Sequence, residues 1–192
     1  MSLNFTNTQT IYAAVLIFLA VVIAVGLYLR YRQARTLAFK NRFGTEYDRA
    51  LETHGSSNKA EATLADRAAR VEAMKIRELS ATQRDRFISE WKTVQSRFVD
   101  YPKAAVTEAD DLINALLLAR GYPQSTFEQR AADISVSYPR VMENYRLANA
   151  IAVRPGRGNA TTEELRTAMI QYRSIFDELV QTQNSTARES AS

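Results

Sequence analysis

His54 is the only histidine in this 192-residue chain, and there is no cysteine. Thiol catalysis, disulfides and thiolate-held metals are therefore excluded, and a Ser-His-Asp relay could run only through that one imidazole. His54 falls near a predicted helix end, where a capping or surface role is the ordinary one. Glu108-x-Asp110-Asp111 gathers three carboxylates within one helical turn, the beginning of a metal site. A di-metal site in a helical bundle would need a second acidic cluster or a Glu-x-x-His pair, and neither is present. Arg154-Pro155-Gly156-Arg157-Gly158 is glycine-rich and basic, as phosphate-binding loops are, but it lacks the Gly-Lys-Ser/Thr ending and follows no predicted strand. It reads as a linker. No catalytic constellation, metal set or cofactor motif emerges, so the expectation is a protein that is not an enzyme and uses no cofactor.

The stretch from residue 120 to 138 is richer. Arg120, Tyr122, Arg130, Asp133 and Tyr138 gather arginines, tyrosines and an acid around two chain reversals. Such groups brace loops by ion pairing, and Arg and Tyr are also common anchors for a partner. These five form the candidate interaction patch. A second candidate is the aromatic stripe around Trp91, which could line a cavity for a small molecule or lipid, although core packing is its ordinary role.

The elements that must position these residues are helical. Gly and Pro are scarce, at six and four. Tyr101-Pro102, Tyr122-Pro123, Tyr138-Pro139 and Pro155 punctuate the chain, because proline disfavours helical conformation in the residue before it. Helix 11–54 is expected to stop at Gly55-Ser56-Ser57, and a second helix covers 59–79. Ser80 with Gln83 has capping-box spacing and opens a third, with Phe87, Trp91, Val94 and Phe98 on one face. A fourth spans 103–120, burying Leu112, Ile113, Leu116 and Leu117. Ser125 with Glu128 caps a fifth to about 136, and Pro139 sits in the first turn of a sixth to about 153. Thr161 with Glu164 caps a seventh, where Leu165, Ala168, Met169, Tyr172, Ile175, Phe176 and Leu179 repeat on one face. The predicted class is all-α: one N-terminal transmembrane helix and a compact bundle of about six helices over 43–181, with a polar tail over 182–192.

Ile11 to Leu29 is a run of 19 residues without charge, twelve of them Ile, Val, Leu or Phe. At 1.5 Å per residue it is roughly 28 Å long, close to the ~30 Å hydrocarbon core of a bilayer. The side chains before it are uncharged, whereas Arg30, Arg32 and Arg35 follow at once. A cleavable signal would carry its charge in front and a small-x-small site behind. A permanent inner-membrane anchor fits better: residues 1–10 outside, 11–29 spanning, 30–42 a basic neck, and the body in the cytoplasm. Arg30, Arg32 and Arg35 are the expected contacts with anionic headgroups.

The charge distribution agrees with that placement. The net charge is +4, but five of the 25 basic residues precede residue 43 and no acid does. The body then holds 20 basic against 21 acidic residues. A nucleic-acid partner is not expected from such a balanced body. Ala20-x-x-x-Ala24 offers a small-residue face for homo-oligomerisation in the membrane.

The chain also resembles a family of uncharacterised bacterial proteins with one N-terminal membrane helix and a helical cytoplasmic body. The residues that carry the resemblance are Arg42-Phe43-Gly44-x-Glu46-Tyr47-Asp48, Trp91-x-x-Val94-Gln95-x-Arg97-Phe98-Val99-Asp100-x-Pro102 and Glu108-Ala109-Asp110. To these belong Arg120-Gly121-Tyr122-Pro123, Gln129-Arg130-Ala131-Ala132-Asp133, Asn144-Tyr145-Arg146 and Tyr172-Arg173-x-x-Phe176. The resemblance implies the architecture and no particular activity. The functional expectation is a membrane-tethered module acting on an unknown protein partner, with a ligand-binding sensor as the alternative.

Overall fold

A computed structural model describes residues 7–153 and 160–181. The linker read at Arg154-Pro155-Gly156-Arg157-Gly158, the tail 182–192 and residues 1–6 lie outside the described residues. Two compact units make up the chain, Met1–Arg42 and Phe43–Ser192. All regular structure among the described residues is helical, with no strand.

The first unit is carried by α1 (Asn7–Phe43). Its apolar run is long enough to cross a membrane, and none of it is buried inside the protein. Every residue from Ile11 to Tyr31 is exposed, although the run is hydrophobic all round.

The second unit contains seven α-helices and a 3-10 turn among the described residues, more than the six expected. The helix expected to run on to His54 is broken at Gly44, with φ 53° and ψ −129°, a backbone that side-chain-bearing residues avoid. Tyr47 N bonds to the Gly44 carbonyl at 3.1 Å, and α2 (Thr45–His54) starts afresh. Next, α3 (Ser57–Ala73) ends six residues before the expected Leu79. Met74 turns extended, and the Arg77 amide leaves helical pairing to bond the Arg120 carbonyl at 2.8 Å. A tertiary hydrogen bond thus overrides a helical apolar spacing.

The Ser80–Gln83 capping box opens α4 (Ala81–Arg97) as read from the sequence, both of its hydrogen bonds being made. Pro102 takes the first position of α5 (Pro102–Ala119). Thr126, not Ser125, caps α6 (Phe127–Ser137), accepting from the Gln129 amide. Pro139 opens a 3-10 turn (Pro139–Val141), and α7 (Met142–Ala152) follows it. Thr161 and Glu164 form the box that starts α8 (Thr162–Gln181).

The apolar stripes of α4, α5, α7 and α8 meet in one core that includes Trp91, Ile113, Leu116, Met142, Tyr145, Tyr172 and Phe176. The α2–α3 hairpin stands apart from that cluster, burying Phe43, Tyr47, Ala60 and Leu64.

Candidate functional site

Where α5 ends, the chain makes a Schellman turn: Gly121 N bonds to the Leu118 carbonyl and Tyr122 N to the Leu117 carbonyl, both at 3.0 Å. Gly121 holds φ 95°, and a Cβ there would sit 2.7 Å from the Lys75 carbonyl oxygen, so only glycine fits. The turn sends Tyr122-Pro123-Gln124-Ser125 across to the start of α6. Residues 111, 114, 117 and 118 present one face of α5 to this segment, and Arg130 and Asp133 present one face of α6. Between them lies a cleft of about 230 Å³.

Asp133 is 2% exposed and receives Arg70 Nε at 3.0 Å, Arg70 Nη2 at 2.6 Å and Gln129 Nε2 at 2.8 Å. All three bonds fall on Oδ1. Arg130 donates from Nε to the Tyr145 hydroxyl at 2.6 Å, and its Nη2 lies 3.5 Å from Asp110 Oδ2. Asn114 reaches the same carboxylate at 3.4 Å. Behind this rim, Asp110 Oδ1 and the Tyr172 hydroxyl are buried, neither in good hydrogen-bond geometry among the described residues, and the two groups interact with one another.

Burial raises the Asp110 carboxyl above its ordinary range, outweighing the Arg130 charge that would lower it. Burial likewise pushes the Tyr145 and Tyr172 phenols up, with the negative charge of Asp110 adding to the effect. Tyr122 is also raised by burial. These phenols stay neutral near pH 7, so they are hydrogen-bond donors and not bases.

The five residues of the predicted patch are close together but do not form a surface. Arg120, Tyr122, Asp133 and Tyr138 are all buried. Arg120 Nη1 donates to the Tyr138 hydroxyl at 2.6 Å and to the Leu179 carbonyl at 2.9 Å, one of the last carbonyls of α8. Its guanidinium also stands over the Tyr138 ring, 5.5 Å from the centroid. Arg120 and Tyr138 are therefore braces at a helix C-terminus, where a cation offsets the negative end of the dipole. Tyr122, Arg130 and Asp133 alone line the cleft.

The other sequence candidates resolve into structural roles. His54 Nε2 lies 3.3 Å from Thr63 Oγ1 inside the α2–α3 hairpin. Glu108 binds Arg97 at 2.6 Å, Asp110 turns inward and Asp111 outward, so the three neighbouring carboxylates diverge. No group of three or more His, Cys, Asp or Glu suited to a metal occurs among the described residues. The Trp91 ring is stacked on Phe176, with centroids 4.6 Å apart, and its aromatic stripe is packed core.

Sequence reasoning missed two groups. One is the Asp110, Tyr145, Tyr172 cluster, detectable only from an acid sitting in register with apolar Val106, Ile113 and Leu117. The other is Glu46, 3% exposed, which takes Arg146 Nε and Nη2 at 3.1 and 3.0 Å and lies 3.7 Å from Arg67. Burial lowers Arg67 from its ordinary value, against the pull of Glu46. Arg30, Arg32 and Arg35 follow the apolar run on the same unbroken helix, with Arg35 over the Phe39 ring. No protein-family model, no curated protein and no solved structure matches this chain.

Proposed function

We propose that the protein is a membrane-tethered, non-enzymatic recognition module, its helical body held at the cytoplasmic face to act on a second protein there. The observation that carries this reading is α1, whose apolar run is of spanning length and unburied and continues without a break into a basic neck. Arg30, Arg32 and Arg35 then face anionic headgroups, and membership of the bacterial family the motifs resemble belongs to the same reading.

The chain has no cysteine, which makes the test direct. Ser2→Cys and Ser96→Cys variants of the full chain are labelled in intact cells with a membrane-impermeant maleimide. Labelling of the first and protection of the second is the expected result; the reverse pattern, or release of the protein by alkaline carbonate, overturns the topology. Cross-linking from exposed Val99 and Tyr101 in the same cells reports the partner.

A second reading, a small-molecule sensor, is favoured by the cleft between α5 and α6. The Trp91 ring is stacked on Phe176 and does not line that cleft.

A further inference from the structure

The inference concerns the ligand of the α5–α6 cleft and rests on the sensor reading. Two acidic groups in its wall have unused capacity. All bonds to Asp133 fall on Oδ1, leaving Oδ2 with none among the described residues although the residue lines the cleft. Asp111, on the opposite wall, is exposed and takes part in no hydrogen bond or ion pair among the described residues. The one cation in the wall among the described residues, Arg130, is already engaged by Asp110 and the Tyr145 hydroxyl. Counting the partners Asp110 and Arg70 with the wall residues gives three carboxylates against two guanidiniums, an excess of one negative charge.

An excess carboxylate calls for a cation. A metal ion would need converging ligands, and no such group is present among the described residues. Leu117, Leu118 and Pro123 supply an apolar surface in the same cleft, which suits a carbon skeleton. The volume of about 230 Å³ falls below the ~300–1,000 Å³ of drug-sized sites.

The geometry points to a short-chain primary ammonium compound as the ligand, its nitrogen received between Asp133 Oδ2 and Asp111 and its carbons lying on Leu117, Leu118 and Pro123. Two sources share this chemistry, a plain amine and an α-amino acid. The amino acid would direct its carboxylate to Arg130, whose Nη1 carries no bond among the described residues.

The test is calorimetric titration of the detergent-solubilised full chain with 1,4-diaminobutane, L-lysine and L-glutamate, each repeated on Asp111→Asn. This residue is exposed and unpaired, so its replacement leaves the fold intact; an unchanged melting curve checks this. Binding of either amine, weakened at least ten-fold by Asp111→Asn, with backbone amide shifts at Gln124 and Ser125, is the expected result. Preference for L-lysine over 1,4-diaminobutane, abolished by Arg130→Gln, marks the amino acid as the source. Binding of glutamate alone overturns the ammonium ligand while leaving the sensor reading standing. Amine binding that Asp111→Asn does not weaken overturns the assignment, and binding of none of the three overturns both.

Discussion

Asp110 carries one buried carboxylate oxygen outside good hydrogen-bond geometry among the described residues, and burial raises its pKa, so its ionisation is linked to folding. Its pKa in the folded protein lies above the reference value of 3.8, and the main cause is burial. A raised acid binds its proton more tightly when folded. Its stabilising contribution is therefore complete below 3.8 and is lost as the pH rises through the folded pKa. Asp110→Asn removes that loss. Relative to the parent, the variant gains stability as the pH rises above 3.8 and levels off beyond the folded pKa, as urea unfolding at a series of pH values would record. A difference that shrinks with rising pH would contradict the burial argument. Glu46 behaves differently, because its charge is met by a bidentate guanidinium. Glu46→Ala leaves the half-buried Arg146 with Glu128, an exposed partner 3.5 Å away, and is expected to cost about 3 kcal/mol in urea unfolding. Adding Arg146→Met should recover part of that loss, the sign of a coupled pair.

Helix starts can be read from the sequence where the side chain that caps them is local. Ser80 with Gln83 and Thr161 with Glu164 each close their own box within four residues, and both were legible. Ser80→Ala is expected to cost about 1 kcal/mol, measured by the midpoint of thermal unfolding. Interruptions enforced from a distance were not legible. Val71, Ile76 and Leu79 continue a plausible helix, and only the Arg120 carbonyl, brought alongside by the fold, draws residue 77 out of it. The same holds for the cleft. Tyr122, Arg130 and Asp133 were identified as candidates by type, yet nothing local announces that Asp133 is buried, since its partner Arg70 lies 63 residues earlier. Gly44 was equally hidden, because a glycine between helix formers reads as tolerable until its positive φ is seen. Gly121 makes the sharper test. Gly121→Ala meets both a left-handed backbone and the Lys75 carbonyl, and the strain alone is worth roughly 1–3 kcal/mol. Gly26→Ala, with no atom within 4 Å, should leave the unfolding of the body unchanged in the same assay.

At the scale of the whole molecule, the division at residue 42 separates a helix that buries nothing from a body with its own core. Removing residues 1–42 is expected to move the protein from the membrane pellet to the soluble fraction while the melting temperature of the body shifts by less than a few degrees. A body that aggregates after this truncation would show that its fold depends on the anchor. Within the body, the α2–α3 hairpin is tied to its neighbours by charge: Glu46 of α2 to Arg146 of α7, and Arg70 of α3 to Asp133 of α6. The first of these contacts spans 100 residues of chain. Translation proceeds at about 5–20 residues per second, so roughly 5–20 s separate the synthesis of Glu46 from that of its counter-ion. The hairpin is among the first parts of the body to be made and among the last that can be locked. During that interval it must wait beside the ribosome with the Glu46 carboxylate, buried in the finished body, still in water.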